Sequence, residues 1–213
     1  MGWRSVIGTM ELYHLAQVEK LYLDITREQD AELEKLVAKE KDVEDGFDEF
    51  GRSNKEQYDE YLADEAYQNE QLQQTLFRSF LLTIAMFIEH DLRGLCGILQ
   101  KETGERFSVD EISRNPGMSV CIRYVEKLSG KKLLDGDTDL QALMELRNIV
   151  AHHNARVSST KQADLKNRFS KSTLGIDFSN NELYIHKDSL KAYLTLAKKI
   201  YDAISDLWVE KDF

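Results

Sequence analysis

The chain has 213 residues, with 38 acidic against 28 basic side chains and a formal charge of −10. Apolar residues make up 42% and charged residues 31%, a balance that suits a globular core and excludes a wholly disordered chain or a membrane protein. The longest apolar run, Phe80 to Ile88 with Thr83 inside it, falls far short of the roughly 20 residues that span a bilayer. No basic and then apolar leader follows Met1, so the cytosol is the expected compartment. Cys96 and Cys121 are too few for a disulfide framework or a zinc site and are expected to be reduced core residues. No metal or other cofactor is expected. The single proline, Pro116, should mark a break in a chain of long helices.

Taken in chain order, Ile7, Met10, Leu15, Val18, Leu21, Tyr22 and Ile25, then Leu33, Leu36 and Val37, repeat at the three-four spacing of one helical face. The stretch from Arg27 to Glu44 has few apolar residues to bury and is read as an exposed arm. Gly46 and Gly51 flank Phe47 and Phe50 and predict a turn, after which Tyr58, Tyr61 and Leu62 restart the pattern and the chain folds back. Leu72, Leu76, Phe80, Ile84, Phe87, Ile88, Leu92, Leu95 and Leu99 mark the core helix. Ser108 and Glu111 form a capping-box pattern, and beyond Pro116 a helix through Val120, Tyr124, Val125 and Leu128 should stop at Gly130.

Asp137, Thr138 and Asp139 offer an N-cap to a helix that buries Leu140, Leu143, Met144, Leu146 and Val150. A polar stretch, Ser158 to Thr173, precedes a hairpin of Ile176-Asp177-Phe178 and Leu183-Tyr184-Ile185 around Ser179-Asn180-Asn181-Glu182. Lys187 to Val209 closes the chain as a helix, with Leu190, Tyr193, Leu194, Ala197, Ile200, Tyr201, Ile204 and Leu207 at core spacing. The fold class is therefore all-α: an antiparallel helical bundle with two long N-terminal helices and a small β-hairpin before the last helix. No Gly-rich phosphate loop is present, which argues against a nucleotide-driven motor or a dinucleotide dehydrogenase.

The charge is local. Glu19 to Glu70 holds 18 acidic and 7 basic residues, whereas Arg114 to Lys171 holds 11 basic and 6 acidic. The second half of that region could form a basic surface, with Arg156, Lys161, Lys166 and Arg168 as candidate nucleic-acid contacts, or these could be scattered solvated charges beside a solvated acidic helix face. Within that region lies Leu146-Arg147-Asn148-Ile149-Val150-Ala151-His152-His153-Asn154. On a helix, Asn148 and His152 are only about 40° apart, but Arg147 and His152 are separated by about 140°. The two would meet if the helix ended near His152 and freed the imidazole to turn, or if a second copy brought its own motif across a symmetric interface.

Arg-Asn-x-x-Ala-His near the end of a helix, in an all-α chain with a closing helix behind it, resembles the motif of the HEPN superfamily (higher eukaryotes and prokaryotes nucleotide-binding). No other arginine in the chain has a histidine at the family's spacing of four to six intervening residues. The resemblance covers about Leu72 to Val209 and leaves the acidic first 70 residues unaccounted for, so 1–213 is read as one helical domain of an acidic arm, 1–70, and a core, 72–209. It implies a metal-independent endoribonuclease acting as a homodimer in defence, toxin–antitoxin or stress systems. His152 would do acid/base work, with His153 as its stand-in, Arg147 would stabilise the phosphorane, and Asn148 would orient His152 or the phosphate. The tyrosine that antitoxin-regulated members carry two positions past the histidine is Asn154 here, which puts that route of regulation in doubt.

A purely structural reading stands beside this one. Arg147 could pair with Glu145 or an acid on a neighbouring helix, and His152 and His153 could simply end a helix whose dipole favours positive charge. On that reading the chain is a catalytically silent module that dimerises or holds a nucleotide, or binds an antitoxin or other protein through its acidic arm. Glu89-His90-Asp91 could suggest metal ligands, but adjacent helical positions point about 100° apart, so polar residues at a helix edge are the better reading. Tyr58, Tyr61 and Tyr67 are read as packing or partner contacts, and His14 and His186 as isolated.

Overall fold

The computed structural model describes residues 3–46, 55–134 and 136–209. The first helix, α1, is continuous over Trp3–Gly46, and the second, α2, over Lys55–Thr103, so the aromatic restart and the core helix expected separately are one rod. The turn expected around Phe47 and Phe50 lies outside the described residues. Tyr22 meets Phe80 and Lys39 pairs with Glu65, a falling register that makes the two helices antiparallel. Short α3 (Val109–Ile112) and α4 (Met118–Ser129) follow, then α5 (Thr138–His153), α6 (Ser159–Arg168), the strands β1 (Asp177–Ser179) and β2 (Glu182–Tyr184), and α7 (Ser189–Val209). The described chain is thus all-α with one small antiparallel hairpin before its last helix.

The local signals explain most of the ends. Ser108 Oγ accepts from the Glu111 N–H while Glu111 accepts from the Ser108 N–H at 2.7 Å, closing the capping box at α3. Gly130 ends α4 in the left-handed conformation, where a residue with a Cβ is strained. Asp137 caps α5 by accepting from the Leu140 N–H at 2.8 Å. Asn180 and Asn181, both at positive φ, form the two-residue turn between β1 and β2, with Phe178 opposite Leu183. The polar stretch 158–173 holds an unexpected helix, α6. Only Leu165 is buried within it, so it left no apolar period in the sequence to read.

Helix α2 lies at the centre, packed against α1, α4, α5 and α7. Phe80, Ile84, Ile88, Leu92, Leu95 and Leu99 of α2 are buried, as are all eight predicted core positions of α7 and both cysteines. Leu72 is not: it is 58% exposed. Steps of four residues drift about 40° per step, which places Leu72 about 160° round the helix from Ile88. The inner part of the acidic segment packs on the body, with Val18 and Ile25 in the core, whereas no described side chain over 31–41 or 59–73 is fully buried. No described helix is long and apolar enough to cross a membrane.

Candidate active site

The motif sits in the last two turns of α5, which ends at His153. Leu143, Leu146 and Ile149 anchor the opposite face of α5 in the core, so Arg147, Asn148, His152 and His153 are left on its accessible side. Asn154 caps the helix at φ 49°, and Ala155 follows at φ 63°. Asn tolerates the left-handed region better than most residues, a physical reason for its place after the histidines. Buried Ala155 does so at a strain cost, and its carbonyl is held by the Leu183 N–H at 2.8 Å.

Arg147 joins the group together. Its Nη2 donates to Glu89 Oε2 on α2 at 3.2 Å, its Nη1 donates to Asn148 Oδ1 at 3.1 Å, and the same Nη1 lies 3.5 Å from His152 Nε2. The Arg147 side chain is 30% exposed, and its length spans the angle that separates it from His152 on the helical wheel. One chain thus brings Arg147, Asn148 and His152 together without a second copy. His153 is exposed in the same last turn, outside these contacts. The acid partner of Arg147 is Glu89 on the neighbouring helix, and Glu145 pairs instead with Lys161 at 3.1 Å and lies 3.8 Å from Arg168.

Beside Arg147 opens a cleft of about 520 Å³. Met118 and Ser119 at the start of α4 form one side, Met144 and Phe169 supply apolar surface, and Glu89, Gln141, Glu145, Arg147, Asn148 and Arg168 supply polar groups. The sequence singled out Arg147, Asn148 and Arg168 among these. It gave no sign of Phe169, which comes into place through α6.

The four candidate RNA contacts all carry acids of the same chain. Arg156 pairs with Glu182 at 3.5 Å, Lys161 with Glu145, Lys166 with Asp177 at 2.7 Å, and Arg168 with Asp164 at 2.9 Å. The Lys166 ammonium, with the Phe178 N–H and His186, holds the Asp177 carboxyl down to about 2. His186 is therefore not isolated. Neither is His14: its Nδ1 lies 2.7 Å from Asp91 Oδ2, its ring stacks on Phe87, and the Tyr201 hydroxyl donates to the same oxygen at 2.8 Å. Glu89 and Asp91 thus serve different sites, as their angular separation requires. Among the described residues no group of three His, Cys, Asp or Glu side chains is arranged to hold a metal ion.

Helices α1, α2 and α7, with α4 and α5 packed on α2, define an all-α protein whose polar cluster gathers at the end of α5. No family model, no curated protein and no solved structure matches this chain.

Proposed function

We propose that the chain is a metal-independent endoribonuclease of the HEPN type that cuts RNA phosphodiesters at a site completed by a second copy across a dimer interface, in a prokaryotic defence or toxin–antitoxin setting. The observation that carries the reading is the convergence of Arg147 on Asn148 and His152, with Glu89 fixing its other edge. The reaction needs a proton taken from the 2′-hydroxyl as its oxygen attacks phosphorus, a proton given to the departing 5′-oxygen, and stabilisation of the charge gathered between them. The imidazole of His152 serves one proton transfer and the partner copy's equivalent serves the other. Arg147, always charged, binds the phosphoryl oxygens and strengthens its hold as charge builds in the transition state. The products are a 2′,3′-cyclic phosphate and a 5′-hydroxyl end. Surface ion pairs are worth only about 0–1 kcal/mol, so phosphates can take Arg156, Lys161 and Lys166 from their carboxylates at small cost.

The test incubates wild type and His152→Ala with total RNA in EDTA. Wild type alone should shorten the RNA and leave cyclic-phosphate ends. RNA left equally intact, or equally degraded, by both preparations removes the catalytic assignment. A second reading, a silent module that holds a protein partner, is favoured by Leu33, Val37, Tyr61 and Tyr67, all exposed on the acidic arm. It gains if the RNA survives both proteins.

A further inference from the structure

The lining of the cleft beside Arg147 carries no surplus of positive charge. The lining holds two arginines and two carboxylates: Glu89 lies 3.2 Å from Arg147 and Glu145 3.8 Å from Arg168, whose nearer acid, Asp164 at 2.9 Å, stands outside the lining. Lys161 at 3.1 Å from Glu145 adds one cation to that second pair from outside the lining. The apolar lining is Met118, Met144 and Phe169, and the Arg168 guanidinium lies over the Phe169 ring, 5.0 Å from its centroid. A cleft with matched charges, two thioethers and a guanidinium plane backed by an aromatic ring suits the face of a nucleobase, which stacks on such groups, better than it suits a dianion.

Resting on the endoribonuclease reading, we propose that this cleft receives the base next to the scissile phosphate and that Glu145 and Arg168 select guanine. Glu145, Asn148 and His152 follow one another at intervals of three and four along α5, so they share a stripe, with Glu145 about 4.5 Å along the axis from Asn148. A nucleotide whose phosphate lies at Arg147 and His152 therefore meets Glu145 as it enters the cleft. Guanine is the one base with two adjacent donors, N1–H and the N2 amino group, on its Watson–Crick edge, and one carboxylate accepts both. Its O6, beside N1, needs a donor, and the Arg168 guanidinium stands next to the Glu145 carboxylate to supply one. Cytosine offers one donor and two acceptors, adenine one donor beside one acceptor, and uracil one donor between two acceptors. Each leaves a carboxylate oxygen of Glu145 facing an acceptor or nothing. A site that satisfies both donors rejects bases lacking them, because its own polar groups are then stranded.

Two measurements decide the matter. The four nucleoside 5′-monophosphates of guanine, adenine, cytosine and uracil are titrated calorimetrically into full-length His152→Ala and into His152→Ala/Glu145→Gln, with circular dichroism confirming that both fold. The guanine nucleotide should bind at least tenfold tighter than the others, and Glu145→Gln should abolish that margin without weakening the uracil nucleotide. Equal binding of all four, no binding, or a margin that survives Glu145→Gln overturns the proposal. In parallel, the ends left by wild type and by Glu145→Gln on a mixed-sequence RNA are mapped. Cuts beside guanosine that scatter among all bases in the variant support it. Cleavage that depends on His152 but ignores the neighbouring base refutes the guanine pocket and leaves the endoribonuclease intact. Absence of any His152-dependent cleavage removes the endoribonuclease, and the titration alone then decides what the cleft binds.

Discussion

Gln74 is 4% exposed on α2 and its amide binds one residue twice: Nε2 donates to the Ile185 carbonyl at 2.9 Å and Oε1 accepts from the Ile185 N–H at 2.9 Å. It imitates a neighbouring strand for the residue that follows β2. Gln74→Ala would strand a buried N–H and a buried C=O, each costing about 1–3 kcal/mol, so the loss should be about 3 kcal/mol of a total on the order of 5–15 kcal/mol. Gln74→Glu separates hydrogen bonding from size. An ionised carboxylate can accept from Ile185 but sets a second acceptor against its carbonyl, whereas the protonated acid restores one donor and one acceptor. Its folded pKa is therefore raised above the unfolded value of about 4.3, and the stability of the protonated pair is full below that value and lost as pH rises through the folded pKa. Urea unfolding followed by circular dichroism should place Gln74→Glu about 3 kcal/mol below wild type at pH 7 and much closer to it near pH 4.5. A Gln74→Ala loss under about 1 kcal/mol, or a gap between Gln74→Glu and wild type that does not narrow with acid, would refute the double bond.

Asp91→Ala removes an acceptor only 8% exposed that serves both His14 and Tyr201, and should cost about 3 kcal/mol in the same urea assay; a loss below about 1 kcal/mol would deny that it ties α1 and α7 to α2. Asp177, depressed from 3.8 to about 2 by Lys166, is 43% exposed, so its pairing is worth about 0.5–1 kcal/mol after screening. That contribution is present above the unfolded pKa and is lost as pH falls through 2, so Asp177→Asn should be destabilised at pH 7 and level with wild type near pH 2, measured by thermal unfolding; an unchanged gap at both pH values would count against the ion pair.

What the sequence revealed depended on the range over which each signal acts. Helix periods, the Ser108 box, the Gly130 stop and the Asn180-Asn181 turn are fixed within a few residues, and all were legible. Helix α6 escaped because a helix with one fully buried side chain has no period to detect. Long-range pairs escaped: His14 and Asp91 lie 77 positions apart, and although the chain was expected to fold back after Gly51, nothing local in either residue says that the two meet. The site lies between these cases. Arg147, Asn148 and His152 share two turns of one helix and stood out by type and spacing, but the wheel angle between Arg147 and His152 predicted divergence. That angle describes where Cβ atoms point, and an arginine has enough length to lie along the helix and close the gap. Glu89 was visible as a polar residue on the core helix, yet only the packing of α5 on α2 assigns it to Arg147.

The same packing explains how a flexible pair of side chains is held at a helix end. Arg147 is referenced to α2 directly, through Glu89. The imidazole of His152 has no such anchor, but the backbone behind it does. The exit turn at Ala155 is bonded to Leu183, and Val157 donates to the Asn181 carbonyl at 2.8 Å, so the chain leaving α5 is sewn to the hairpin. The hairpin is in turn fastened to α2 by Arg78, whose Nη2 donates to the Leu183 carbonyl at 2.7 Å, and by Gln74 at Ile185. Leu183 thus uses its N–H on the exit turn and its carbonyl on α2. Two left-handed residues in succession are a conformation that an unbraced chain would leave, and releasing them would let the last turn of α5 fray and carry His152 away from Arg147. The small hairpin therefore braces the turn that follows the helical motif and ties it to α2.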